Sequence, residues 1–222
     1  MLRTIFLCLL AAASLGANSV YDVNIGTSGL SGESGYLVFD FISGGGPANA
    51  ISLSGFTSDG TLGAVTSTTG EVTGALPGTV IFVDDPVSSV FNEYQNAFTF
   101  GTTMSFVLDA SENAPGTGFS PDEFSVYFLA SDDATSLITT SDPTSGDSLL
   151  TLDLDGSANG VPTVFSVSDP AAVSAGMTLS GGSPGGPPAT VPEPSTWPVL
   201  AAVCLIGLSR LHRRSSETRG RA

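Results

Sequence analysis

The chain has 222 residues, with 21 acidic and six basic side chains and a net charge of −15 at neutral pH. That imbalance excludes nucleic acid as a partner, because phosphate binding rests on Lys and Arg. The length suits one domain large enough to bury a real core, with short segments at either end.

Met1-Leu2-Arg3 is a minimal basic leader, and Thr4 to Ala13 is an apolar run too short to span a bilayer. Ala17-Asn18-Ser19 follows with small residues at alternate positions. Together they predict a secretory signal peptide over residues 1–19, read by the Sec export machinery and cut between Ser19 and Val20. A cut after Ala17 is the other choice. Cys8 sits inside the apolar run without the small neighbours of a lipoprotein motif.

Residues 20–179 read as one domain of period-two segments. Leu37, Phe39 and Phe41 share a face, as do Met104, Phe106 and Leu108, then Phe124, Val126 and Phe128, then Leu150, Leu152 and Leu154. Further strands are expected at Tyr21–Ile25, Ala50–Phe56, Thr79–Val83, Asn96–Phe100 and Pro162–Val167. Clusters of Gly, Ser, Pro, Asn and Asp separate them, and no amphipathic helix of useful length appears. Val90 to Gln95 is expected as a turn or a short helix. Many short strands with polar turns predict an all-β fold, an antiparallel β-sandwich of jelly-roll type. Phe39, Phe106, Phe128 and Leu152 should point inwards.

Every basic side chain lies in the end segments: Arg3, Arg210, Arg213, Arg214, Arg219 and Arg221, with the one His at 212. Twenty of the acids lie between Val20 and Ser209. No side-chain salt bridge can form in the domain, so its carboxylates must be solvated, hydrogen-bonded to N–H or O–H groups, or neutralised by cations. Cys8 and Cys204 both lie outside it, so it has no disulfide. Without His, Cys or Lys it cannot build a Ser-His-Asp, Cys-His or Ser-Lys arrangement, nor a His/Cys zinc centre. Carboxylate chemistry survives, and with it the remote alternative of a glycoside hydrolase. The domain has no Trp to stack on a sugar and no Arg to orient one. An enzyme is therefore not expected.

Asp153 and Asp155 with Asn159 place two carboxylates and an amide in a Gly-containing turn after a strand. Such oxygen ligands suit calcium, although the loop lacks the third alternate Asp and the distal Glu of an EF-hand. No cofactor is required; structural calcium is the one candidate, set against an ordinary acidic turn. Asp84-Asp85 and Asp132-Asp133 read as turn residues. Tyr36, Tyr94 and Tyr127 either pack in the core or line a carbohydrate-binding face.

Residues 180–190 are rich in Gly, Ser and Pro and read as a linker. Val191-Pro192-Glu193-Pro194 is then a stiff extended peptide, because each proline fixes its own φ and biases the residue before it. Trp197 to Leu208 is an uncharged apolar helix candidate, followed by Arg210, Arg213 and Arg214. Trp197 anchors at one interface and the arginines snorkel at the other, which lengthens a short span into a single transmembrane helix. The positive-inside rule puts residues 215–222 in the cytoplasm and the domain outside.

This order of rigid motif, apolar helix and basic stop over residues 191–214 resembles the PEP-CTERM sorting signal. The resemblance implies export by a Gram-negative producer of extracellular polysaccharide and handling by an exosortase, a membrane-embedded cysteine transpeptidase-like enzyme. Pro192, Glu193 and Pro194 would be the recognition element and Arg210, Arg213 and Arg214 the membrane stop. The stretch Thr27-Ser28-Gly29-Leu30, Gly32 and Gly35 to Phe41 looks like a recurring group of PEP-CTERM ectodomains, which implies a secreted β-rich domain. The expected protein is exported, transiently anchored and non-catalytic, ending at the cell surface or in an extracellular polysaccharide matrix. The alternative is a carbohydrate-binding module.

Overall fold

The computed structural model describes residues 18–84, 90–111, 113, 115–144, 146–156, 161–168 and 173–183. The segments read from the sequence as sorting motif, apolar helix and basic stop lie outside these residues, as does most of the segment read as a leader. Twelve strands form, in chain order: β1 (Asn18–Gly26), β2 (Ser34–Ile42), β3 (Ala50–Ser58), β4 (Thr61–Thr69), β5 (Val72–Gly74), β6 (Val80–Val83), β7 (Phe91–Thr99), β8 (Thr103–Ser111), β9 (Asp122–Ala130), β10 (Leu150–Leu154), β11 (Val161–Val164) and β12 (Ser174–Ser183). One 3-10 turn, Ser28–Leu30, is the helical element among the described residues. None of the described residues forms a helix long and apolar enough to cross a membrane.

The fold is all-β, with two antiparallel sheets. The first runs β12-β1-β8-β3-β6-β5 and the second β11-β10-β9-β2-β7-β4. Their inner faces meet in one core. Phe39 of β2 meets Phe106 of β8 edge to face at 5.7 Å, and Phe82 of β6 meets Phe124 of β9 at 5.8 Å. The period-two pattern dictates this, since alternate side chains must share a face. Phe39, Phe106, Phe128 and Leu152 are all buried, as their strand alternation requires.

Strand positions follow the sequence pattern, with instructive differences. Val90 to Gln95 does not turn: residues 91–95 are the first half of β7. The inward face of β7 is Asn92, Tyr94, Asn96 and Phe98, so two buried amides interrupt the apolar alternation. Both amides are paired. Asn92 Oδ1 accepts from Glu71 N at 2.7 Å, and Asn96 Oδ1 accepts from Tyr94 Oη at 2.9 Å. Strands β4, β5 and β12 had no forecast. The β12–β1 ladder pairs Gly181, Gly182 and Ser183 with Val20, Ser19 and Asn18, so strand pairing enters the segment that reads as linker. Asn18 and Ser19 in turn pair with Ser111 and Ala110 of β8. A leader cut before Val20 removes both rungs, together with the 3.0 Å bond from Asn18 Nδ2 to Asp109. A cut after Ala17 keeps them.

In a domain without basic side chains, carboxylates hold the turns. Asp59 accepts from the N–H groups of Thr102 and Thr103 at 2.8 and 2.9 Å and from the Thr102 hydroxyl at 2.5 Å. Asp132 accepts from Ala134 N, Thr135 N and the Thr135 hydroxyl. The Thr102 hydroxyl foremost holds the Asp59 carboxyl below its ordinary range, and the Thr135 hydroxyl does so for Asp132. At Asp142 burial pushes upward, but bonds from Thr144 and Ser148 outweigh it and the net shift is downward. Asp122, buried at the first residue of β9, accepts from Gly44 N at 2.7 Å and Asn49 Nδ2 at 2.8 Å. Asn49 Oδ1 accepts from Ser111 Oγ and Asn113 N, which ties the loop before β3 to the loop after β8.

Candidate functional site on the outer face of the second sheet

The register of β7, β2 and β9 builds the site. Val38 lies between Gln95 and Tyr127, and Asp40 lies between Glu93 and Ser125. All alternate with inward residues, so they face away from the core. An outer face is normally wet, yet Val38 is fully buried and Asp40, Gln95 and Ser125 are nearly so. The half-buried Tyr127 donates from Oη to Asp40 Oδ2 at 2.8 Å. The Gln95 amide donates to Asp133 Oδ1 and accepts from Thr66 Oγ1 at 3.1 Å. Thr66 is the extra residue of a β4 bulge, between Val65 opposite Asn96 and Ser67 opposite Gln95, which re-aims its side chain. Asp133 adopts a left-handed φ of 60°, a conformation Asp tolerates better than most residues.

Electrostatics single out Asp40. Burial raises its carboxyl to about 7; the Tyr127 bond opposes this and the Glu93 charge adds to it. Its Oδ1 is buried with no hydrogen-bond partner among the described residues. Burial, and then the neighbouring Asp40, push the Tyr127 phenol well above its ordinary value. The face thus carries one carboxyl poised near neutrality, a second carboxylate across the ladder, a phenol and an amide. That set can exchange a proton and can hydrogen-bond a polyhydroxylated ligand.

A second acidic pair lies further along the same face. Glu123 of β9 stands opposite Asp153 of β10. Burial foremost raises both carboxyls, with added repulsion from Asp153 and Asp142 on Glu123 and from Asp155 on Asp153. Asp153 thus belongs to the sheet face, Asp155 follows the strand, and Asn159 lies outside the described residues. Among the described residues no three His, Cys, Asp or Glu side chains converge on a spot that could hold a metal ion.

Other sequence-derived candidates separate. Tyr94 is fully buried, and its hydroxyl accepts from Leu76 N at 3.0 Å, so it belongs to the interior. Tyr36 and Tyr127 are half-buried on the outer face. Asp132 is a turn residue, whereas its neighbour Asp133 reaches the site. Asp84 is buried rather than an exposed turn residue, and Asp85 lies outside the described residues. Ser19 and Val20 are strand residues of β1. Asp40 was missed as a site, although an acid within the apolar run Leu37-Val38-Phe39-Asp40-Phe41-Ile42 was its signal. Such a run marks a strand covered on both faces. A separate groove of ≈ 580 Å³ on the first sheet has a mixed lining, with Asn24, Thr57 and Ser105 beside Ile25 and Met104. No protein-family model matches this chain, and neither curated proteins nor solved structures give a match.

Proposed function

We propose that this is an exported, non-catalytic protein of the cell surface or of an extracellular polysaccharide matrix. Its ectodomain is read as a jelly-roll-like β-sandwich delivered by a PEP-CTERM-type tail. The strand order supports the jelly-roll reading: β1-β8-β3-β6 in one sheet and β2-β7-β4 in the other suit two interlocked Greek keys. The observation that carries the functional reading is how the domain uses its acids. Asp59, Asp122, Asp132 and Asp142 are engaged in holding turns and loops. That is the economy of a scaffold. The leader is removed by the export machinery at Ser19-Val20 or, keeping both end rungs of β1, after Ala17. Exosortase then reads Pro192-Glu193-Pro194 while Arg210, Arg213 and Arg214 hold the chain in the inner membrane. Replacing those three motif residues with Ala should leave full-length protein in the membrane fraction. A mutant that reaches the surface as the wild type does removes the motif as the signal.

A second reading, a carbohydrate-binding module, is favoured by Tyr36 and Tyr127 on one outer face beside Asp40 and Gln95. Retention on exopolysaccharide that Tyr36→Ala weakens would favour it over a purely structural role. Structural calcium at Asp153, Asp155 and Asn159 belongs to the same proposal. At fixed background salt, calcium should then raise the melting temperature, by ~2.7 kcal/mol of added stability at a hundredfold excess over Kd. Asp153→Asn with Asp155→Asn should abolish the increment. An equal calcium response in both proteins leaves only diffuse screening of charge.

A further inference from the structure

We propose that Asp40, clasped by Tyr127 and facing Glu93, is a proton-operated latch on the outer face of the second sheet. With a proton, Asp40 sits uncharged beside Glu93 and the buried face is relaxed; without it, Asp40 still accepts the Tyr127 hydroxyl, but its charge is buried opposite Glu93 and strains the face. The geometry is specific. Asp40 is 7% exposed, so water cannot solvate its charge without movement. One carboxylate oxygen holds the Tyr127 hydroxyl at 2.8 Å, and the other has no hydrogen-bond partner among the described residues. A buried carboxylate oxygen without a protein donor is costly when charged, because burial takes it out of bulk solvent.

The surroundings cannot repay that cost. Glu93 faces Asp40 from β7. Tyr127 and Glu123 lie on β9, the latter beside Asp153 and Asp142. Asp133, from the turn after β9, binds Gln95. None of these is a cation, and residues 18–183 contain no Lys, Arg or His. A titration in the neutral range here belongs to carboxyl groups, without the histidine that usually supplies it. Burial, then the Glu93 charge, bring the Asp40 carboxyl to about 7, while the Tyr127 bond pulls it back.

The sign follows from linkage. Asp40 has a higher pKa folded than unfolded. Its contribution is complete below the unfolded value, ~4, and is lost as pH rises through about 7. The shifts at Asp59, Asp132 and Asp142 run the other way, so their stabilisation is lost only in acid, below the ordinary carboxylate range. The two effects occupy different pH windows.

Thermal unfolding of the full chain from about pH 5.5 to about pH 8.5 tests the latch. The wild-type melting temperature should fall by roughly 5 °C across that range. Asp40→Asn should flatten the profile and melt higher than wild type at the alkaline end. Glu93→Gln should move the midpoint to lower pH, and Tyr127→Phe, which removes the opposing bond, to higher pH. A merely structural role would not move the midpoint in opposite directions. An Asp40→Asn profile with the wild-type slope overturns the proposal. Should the variants fail to fold, the carboxyl carbon resonance of Asp40 in the wild type decides. A midpoint near neutrality supports the latch, and one in the ordinary carboxylate range refutes it.

Discussion

Phe39→Ala should destabilise the folded domain by about 3–5 kcal/mol. Phe39 is 1% exposed and sits where the two sheets meet. Its ring lies 6.2 Å from Tyr94, 5.7 Å from Phe106 and 6.3 Å from Phe124, so it touches rings from β7, β8 and β9. Truncation removes its transfer free energy and leaves a cavity that the ladders of β2 with β7 and β9 keep from collapsing. Denaturant unfolding measures the loss as a shift in midpoint at constant slope. A loss below about 1 kcal/mol would show that the neighbouring rings close the gap, and the sheets would then be less rigidly spaced than their ladders imply.

Asp122→Ala should cost about 3 kcal/mol, within a range of roughly 2–5, for a different reason. Asp122 is 2% exposed and makes no apolar contribution to the core. Its two carboxylate oxygens take the Gly44 N–H and the Asn49 amide, and Asn49 in turn holds Ser111 and Asn113. Removing the acceptor leaves the part-buried Gly44 N–H and one of the two N–H groups of the buried Asn49 amide without this acceptor, the other still reaching Asn113 O, and unmade buried bonds cost more than made ones return. A double-mutant cycle with Asn49→Ala should show strong coupling, since both belong to one network. Asp22→Ala, on the exposed face of β1, should stay within about 0.5 kcal/mol of wild type. Equal effects at Asp122 and Asp22 would dissolve the network argument.

How much of this was legible depended on which partner each strand needs. β2, β8, β9 and β10 carry their inward faces as Leu, Phe, Met and Val at alternate positions, and the pattern alone places them. β7 hides because Asn92 and Asn96 occupy core-facing positions, and their acceptability rests on bonds to Glu71 and Gly63 from other parts of the chain and to Tyr94 in the same strand. β4, Thr-Leu-Gly-Ala-Val-Thr-Ser-Thr-Thr, is an edge strand exposed over most of its length, so burial writes no period into it. β12 is Gly- and Ser-rich and becomes a strand only because β1 offers it a ladder. The site was half legible. Tyr127 and Tyr36 stood out as aromatics, but the burial of Asp40 comes from register across three strands and from Tyr127 closing over it.

The pairing of the first strand with the last carries a kinetic consequence. β1 hydrogen-bonds on one side to residues 103–111 and on the other to residues 174–183, and not to β2, the strand that follows it in sequence. A chain emerging from its N-terminus therefore presents Tyr21, Val23 and Ile25 to water until β8 arrives, and lacks a second ladder until β12 arrives. Closing such distant pairs makes folding slow and leaves unpaired edges in the meantime. During that interval the one-signed charge works in the chain's favour, because half-made domains that all carry carboxylates repel one another before their edges can pair.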